Sequence, residues 1–367
     1  MGGFFIGANM IELSVDKLLS WSLYPEISEQ KLINGISDIS HLYTQERDEL
    51  TEWKWNESLI TSYTCFYLPT NFQKFSFVLD RLPSSIQSEL SELDWIDFGC
   101  GPGTYTLGIL DYFPEFKGQI SCIDKESFML EQARRVIRGA FPDRLTKVSF
   151  QNNIRELNSE GSVLLFGNSL NEMSAKEVLQ TVTRLKPKYI ILIEPGTPEV
   201  FYKLMDIRKT LSARSFKNIF PCPTGVEFCP VYTTSLQEEK IDWCHQVMKT
   251  VHHPSVERLS QKAKLDRKKM PLIGHVYFFN DIEGDSLEES HNMDMKSFRV
   301  IRTITENKHS FLWDVCLNDN KTLRFEIPKR KMKKPEIKEL GMVCAGDKFS
   351  YEVVKEIDDR LWRVNLI

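Results

Sequence analysis

The clearest chemistry in this chain lies in Asp97-Phe98-Gly99-Cys100-Gly101-Pro102-Gly103. The stretch follows a short, mostly apolar run, Leu93 to Ile96, and leads into Thr104 to Leu110, which reads as the start of a helix. A strand, a glycine-rich turn and a helix N-terminus together make a nucleotide-binding corner. Glycine permits positive φ and close approach of a ligand to the backbone, and the helix end offers unpaired N–H groups. The spacing G-x-G-x-G departs from the dinucleotide fingerprint G-x-G-x-x-G and sets an acid at the strand end, ahead of the first glycine. Gly118 to Ile123 reads as the next strand and ends in Asp124, about twenty residues on, where the ribose-binding acid of a mononucleotide unit is expected. The plain alternative is a tight turn in some other α/β protein.

This loop resembles the first motif of class I S-adenosylmethionine (SAM) methyltransferases. The resemblance implies that Asp97, Gly99, Gly101 and Gly103 form the loop around the methionine part of SAM. Asp124 would then bind the ribose hydroxyls, and Asn153 would lie near the adenine. Asn168, with Asn171 and Glu172, follows the fourth strand and is placed to contact either SAM or an acceptor base. The Asn-Pro-Pro-Tyr or Asp-Pro-Pro-Tyr motif of many base-amino methyltransferases is replaced there by Asn168-Ser169-Leu170-Asn171, which has no aromatic to stack a target base. No cysteine nucleophile follows that strand either, so no catalytic residue is assigned.

These residues need elements to position them. From about 91 to 215, apolar runs such as Val163 to Gly167 and Tyr189 to Ile193 alternate with helical patterns at Ser127 to Arg138 and Ala175 to Leu185. Such runs mean a parallel sheet buried on both faces. Asp97, Asp124, Asn152-Asn153, Asn168-Ser169 and Glu194 then fall at the carboxyl ends of the strands, the edge where ligands bind. The fold expected is α/β, a Rossmann-like, mostly parallel SAM-methyltransferase sheet. Residues 1–88 read as a helical N-terminal region punctuated at Pro25, Pro69 and Pro83, with Trp53, Trp55, Phe66, Phe75 and Phe77 as core. Residues 89–215 form the SAM-binding core, 216–285 a cysteine-rich basic insertion, and 286–367 a β-rich C-terminal domain of short strands. Within the insertion, Cys244 to Lys269 reads as a basic helix.

The formal net charge of −4 gives no global signature of nucleic-acid binding. The bases are nevertheless gathered locally. Lys262, Lys264, Arg267, Lys268 and Lys269 form one cluster and Lys329, Arg330 and Lys331 another. Each is either a solvated face or a surface for phosphates. Of the eight cysteines, Cys222, Cys229, Cys244 and Cys316 fall in the same half of the chain. Their spacing lacks the close knuckles of structural zinc sites. Four thiolates suit either a 4Fe–4S cluster or tetrahedral zinc, and His245 and His275 keep a Cys₃His zinc site open. Unrelated buried thiols are the bland alternative. No run of eighteen apolar residues suggests a membrane span, and the N-terminus reads as neither a secretory signal nor an Arg-rich transit peptide.

Cys222-Pro223, Cys229-Pro230 and Asp242-Trp243-Cys244-His245, preceded by Glu194-Pro195-Gly196-Thr197-Pro198, resemble the small-ribosomal-subunit methyltransferase-like family of mitochondria and bacteria. The resemblance runs from Tyr67-Leu68-Pro69 through Gly346-Asp347. It implies a class I methyltransferase domain that binds rRNA of the small ribosomal subunit or its precursor as an assembly factor. It also implies a 4Fe–4S cluster on Cys222, Cys229, Cys244 and Cys316, with Cys344 a competitor for the last place. An active SAM-dependent rRNA methyltransferase is the alternative function. A monomer is expected, with no membrane partner, in the cytoplasm or alternatively the mitochondrial matrix.

Overall fold

The computed structural model describes residues 11–46, 53–155, 157, 159–222, 229–233, 243–280, 296–319 and 321–367. Four helices precede the first strand: α1 (Val15–Ser20), α2 (Glu29–Gln45), α3 (Glu57–Leu79) and α4 (Ser84–Leu90). The first three start at Ser14, Ser28 and Asn56, whose side chains accept from the backbone N–H three residues on and so satisfy an otherwise unpaired donor.

The punctuation at Pro69 predicts a break, but α3 runs straight through it. An interior proline costs about 3 kcal/mol through its lost hydrogen bond and its ring clash. Against that, α3 is buried almost all round, with Ile60, Phe66, Leu68, Phe75, Val78 and Leu79 in the core. Each such side chain stabilises by about 1.5–3 kcal/mol on burial, so packing wins.

The main sheet has the strand order β3-β2-β1-β4-β5-β8-β6, with β7 pairing the start of β8. Its members are β1 (Trp95–Phe98), β2 (Ile120–Ile123), β3 (Val148–Gln151), β4 (Val163–Gly167), β5 (Tyr189–Pro195), β6 (Phe216–Phe220), β7 (Gln246–Lys249) and β8 (Lys269–Phe279). The first five are mutually parallel, and β8 lies antiparallel to both β5 and β6. Helices α5 (Thr104–Tyr112), α6 (Ser127–Ala140), α7 (Ala175–Leu185) and α8 (Pro198–Ser212) make the crossovers. This is the class I methyltransferase sheet, and its strand order reverses between β1 and β4, which opens a crevice at their carboxyl ends.

Three segments within 216–285, β6, β7 and β8, are strands of this sheet. The basic helix expected over Cys244 to Lys269 is shorter in the structure. Gln246–Lys249 is strand, and the helix spans only Pro254–Lys262, with His253 as its N-cap and Pro254 in its first turn. The hydrogen bonds of β7 to β8 and to the C-terminal domain (Val247 N–H to Ala345 O, 2.9 Å) take residues that periodicity alone assigned to a helix.

The C-terminal strands close into a barrel, in the order β10-β11-β13-β12-β9. They are β9 (Ser297–Glu306), β10 (Ser310–Leu317), β11 (Thr322–Pro328), β12 (Lys348–Glu356) and β13 (Leu361–Leu366). All pairings are antiparallel except β11 with β13, and a short helix, Lys334–Leu340, lies between β11 and β12. A five-stranded closed barrel with this order is the OB topology. Alternate residues point inward, so Phe298, Phe311, Trp313, Phe325 and Tyr351 form an aromatic core. Closure removes the exposed sheet edges that short strands would otherwise present.

Candidate cofactor cavity and cysteine cluster

Local backbone shape builds the cavity first. Gly99, Gly101 and Gly103 all have positive φ, at 72°, 52° and 81°. At Gly99 a side chain is barred twice over, because an added Cβ would also lie 2.7 Å from the Cβ of Ser169. The loop and the segment after β4 therefore touch. Asp124, at the end of β2, accepts from Gly101 N–H (2.8 Å) through one oxygen and from Glu126 N–H (2.9 Å) through the other. Its carboxyl is pushed up to about 6, chiefly by burial, while those two hydrogen bonds pull the other way.

A cavity of about 700 Å³ opens above this loop, within the usual size range of small-molecule sites. Gly99, Gly101, Asp124, Asn153 and Asn168 line it, as do Tyr43, Trp55, Tyr63, Tyr105 and Glu172. Asp97 and Gly103 do not line it. Asp97 is fully buried beneath the loop and accepts from both the N–H (3.0 Å) and the hydroxyl (2.7 Å) of Thr106, which holds the first turn of α5. Burial pushes its carboxyl up to about 7. Its second oxygen is enclosed and has no hydrogen-bond partner among the described residues. Gly103 sits against Ala133 of α6.

The segment after β4 is braced from two sides. Glu194 of β5 accepts from the backbone N–H groups of Ser169 (3.1 Å) and Leu170 (3.2 Å). Lys74 of α3 donates to Asn168 Oδ1 (3.3 Å), while Asn168 Nδ2 donates to the Tyr105 hydroxyl (3.1 Å). Both ends of the Asn168 amide are thus committed to the protein, and the residue sits at φ 55°. Gly167 beside it leaves room for the Tyr105 ring, since an added Cβ would fall 2.1 Å from a ring carbon. Lys74 and Glu194 are both buried. Burial lowers the ammonium to about 7 and raises the carboxyl to about 7, and the charge of each partly offsets the shift of the other.

Local pattern does not mark Lys74, Tyr43 or Tyr63 as site residues, and it assigns Trp55 to the core rather than to a base-stacking platform. All sit on N-terminal helices or just before one, and no local motif marks them. The only available signal was a lysine on a helix face otherwise made of apolar residues.

Far from this cavity in sequence, Cys222, Cys229, Cys244 and Cys316 come into one neighbourhood. Burial raises Cys316, and the Cys244, Cys222 and Cys229 thiols raise it further. Cys244, pushed up to about 12 by burial, feels Cys229 and Cys222, and Cys229, also raised by burial, feels Cys222. All six pairs are therefore within electrostatic reach. Two cations attend them: Arg208 donates to Cys222 Sγ (3.4 Å) and Arg299 acts on Cys244 and Cys316. Cys344 instead directs its thiol to Met342 O (3.5 Å). His275 is neutral, lowered by burial to about 3, and its Nδ1 is bonded to the Tyr277 hydroxyl (2.8 Å). Among the described residues no three His, Cys, Asp or Glu side chains are drawn together as ligands of a single ion.

A family model described as mitochondrial small ribosomal subunit Rsm22 matches residues 57–355. The chain belongs to the Rsm22 family. Among solved structures it is similar to magnesium protoporphyrin IX methyltransferase from Synechocystis with bound SAM. That likeness is at 12% identity and TM-score 0.38, over 67% of this chain and 97% of that one. It is also similar to precorrin-6y C5,15-methyltransferase from Geobacter metallireducens, at 12% identity and TM-score 0.33, over 56% of this chain and 87% of that one. Comparison with curated proteins finds no match. Its family is thus that of a small ribosomal subunit protein, and the methyltransferase fold of this Rsm22-family chain rests on its own strand order. No helix among its described residues is long and apolar enough to cross a membrane.

The basic candidates of this Rsm22-family chain divide into two groups. Lys262 pairs with Glu29, which also faces Arg258 (3.6 Å), and Lys268 faces Glu257 (3.8 Å). Arg267 is half-buried with its guanidinium over the Tyr67 ring (5.2 Å), which ties its segment to α3. Lys264 and Lys269 are exposed. On the barrel, Lys329 is held by Glu306 (2.7 Å) over the Phe311 ring (4.3 Å), whereas Arg330 and Lys331 are exposed in the turn before the short helix. The Lys329 N–H bonds to His309 O (2.8 Å), so that turn adjoins the β9–β10 loop with its exposed Lys308.

Proposed function

We propose that this protein binds SAM in the cavity above the glycine loop and acts on the small ribosomal subunit, or its precursor, as an rRNA-binding assembly factor. The observation that carries the reading is the joining of Gly101 to Asp124 beneath an open cavity, in a chain whose family is that of a small ribosomal subunit protein. The lining suits SAM: the Asp124 carboxylate stands at the ribose position, and Gly99 and Gly101 bring bare backbone to the cavity wall. The family description favours the mitochondrial matrix over the cytoplasm. A monomer is the state proposed; closure removes the edges of the barrel, while the main sheet ends at β3 and β6.

RNA would be met by the barrel. OB barrels bind oligonucleotides on the face of their second and third strands and on the flanking loops. Here the loop between the first two strands adjoins the cationic turn of Arg330 and Lys331. Charge reversal of Arg330 and Lys331 together is expected to weaken binding to small-subunit rRNA at least tenfold. The salt slope should become shallower by about one unit for each phosphate that is no longer neutralised. Unchanged affinity and slope in filter binding across a salt series would remove the barrel turn from the reading. Lys262, Lys264, Lys268 and Lys269 form the second surface, where the acids Glu29 and Glu257 reduce the expected effect.

The four thiols are assigned to a 4Fe–4S cluster, with zinc the alternative. A single zinc would need its sulfurs about 2.3 Å from one centre. In a cluster each thiolate binds a different iron. Arg208 and Arg299 would offset the negative charge of such a group. The cluster would supply cohesion between the main sheet and the barrel.

SAM affinity is expected to be level from pH 7 to 8 and to fall below pH 6, by up to about tenfold per unit. The ribose hydroxyls donate to an ionised carboxylate, and Asp124, held up at about 6, takes on its proton in that range. Asp124→Asn should bind weakly and without this pH dependence. Calorimetric titration at pH 5, 6, 7 and 8 reads both outcomes. Methyl transfer to rRNA is a second reading, and the extension of the cavity beyond the glycine loop favours it.

A further inference from the structure

We propose that the outer half of the cavity is an acceptor subsite, in which a nucleobase stacks on an aromatic wall made by Tyr43, Trp55 and Tyr63. This rests on the reading that SAM occupies the half next to the glycine loop. The segment after β4 lacks a stacking aromatic, and the N-terminal helical region supplies three from elsewhere: one on α2, one just before α3 and one on α3.

The geometry fits a flat ring better than it fits a filled core. None of the three is fully buried, although the helices that carry them are otherwise packed into the core. Trp55 meets Tyr63 edge-to-face, with ring centres 6.0 Å apart and planes at 78°. Tyr63 also packs on Tyr67, with ring centres 5.2 Å apart and planes at 35°, so its ring is held from two sides. The phenols of Tyr43 and Tyr63 lie within electrostatic reach of Asp124 and Glu172, so the wall looks toward the cofactor side of the cavity.

Trp55 also borders a second cavity of about 740 Å³, lined in part by Tyr24, Trp53 and Phe128. Phe128 is 47% exposed, one of the few large apolar side chains at the surface. Trp55 thus lines both cavities. The polar lining is mixed: Glu172 lines the cavity with its carboxylate bridged to Lys125 (3.2 Å), and Lys125 and Arg184 line it too. A carboxylate accepts from an exocyclic amino group. The class of ligand is thus a base that carries an amino group.

The test uses the full-length protein saturated with S-adenosylhomocysteine and titrated calorimetrically with the 5′-monophosphates of adenosine, cytidine, guanosine and uridine. An amino-bearing nucleotide is expected to bind, and uridine monophosphate more weakly. Trp55→Ala should weaken binding at least about fivefold, the lower end of the loss seen when one base-stacking aromatic is removed. S-adenosylhomocysteine affinity should stay within about twofold, which also shows that the variant is folded, and Trp55→Phe should retain most nucleotide binding. No nucleotide binding to the loaded parent, or equal binding by Trp55→Ala, overturns the subsite. A parallel fall in S-adenosylhomocysteine affinity overturns it too, since the wall would then belong to the cofactor's seat. Failure of the parent to bind S-adenosylhomocysteine sinks the SAM reading and the subsite together.

Discussion

Glu194→Ala should be among the most damaging single changes in the molecule, destabilising it by about 2–6 kcal/mol. Two buried N–H groups, those of Ser169 and Leu170, would lose their shared acceptor, and each unpaired donor costs about 1–3 kcal/mol. Lys74 would also lose the nearby carboxyl that offsets its burial, so its ammonium would fall further below about 7. Glu194→Gln keeps an acceptor oxygen at the same reach and should cost less than about half as much. Denaturant unfolding of the three proteins decides the matter. Equal losses for Ala and Gln would mean that charge, rather than the two hydrogen bonds, is what Glu194 contributes. Because the braced segment forms one wall of the cavity, Glu194→Ala should also weaken SAM binding even in the fraction that remains folded.

A second large effect is expected on removal of a cysteine. Anaerobically purified protein should carry about four iron and four acid-labile sulfide per chain, and Cys222→Ser or Cys316→Ser should lose both. Cys344→Ser should keep them, because its thiol points to Met342 O and not toward the other four. The loss should lower the thermal midpoint. Cys222 follows β6, Cys244 precedes β7 and Cys316 lies on β10, so a shared metal centre would tie the main sheet to the barrel. One zinc per chain without sulfide would replace the cluster by a mononuclear site. No metal in protein kept free of oxygen and chelator would leave the thiols as packing residues.

Much of the main sheet could be read from local pattern. The apolar runs at Val163 and Tyr189 can be satisfied only in a sheet covered on both faces, and Asp97 to Gly103 marks its first crossover. The barrel strands were likewise visible from their alternation, because Phe311, Trp313 and Val315 face one way and Leu312, Asp314 and Cys316 the other. The errors have physical causes. Pro69 reads as a helix stop because its cost is local, whereas the burial that outweighs it comes from α2, α5 and the sheet. Gln246 to Lys249 reads as helix because its pairing partner, β8, lies twenty or more residues on.

By itself the sequence determined the chemical types on offer: a glycine loop with an acid on each of two successive strands, five cysteines in the second half of the chain, and two basic clusters. Side-chain type and short spacing are properties of the chain, so they survive without coordinates. Only tertiary structure decided which of these groups share a space. It placed Asp97 under the loop instead of in the cavity, committed Asn168 to Lys74 and Tyr105, and assembled the aromatic wall from α2, α3 and the segment between them. It also brought Cys316 beside cysteines about ninety residues earlier in the chain. The reason is that burial and proximity are sums over packing partners distant in sequence, and no window of neighbouring residues contains them.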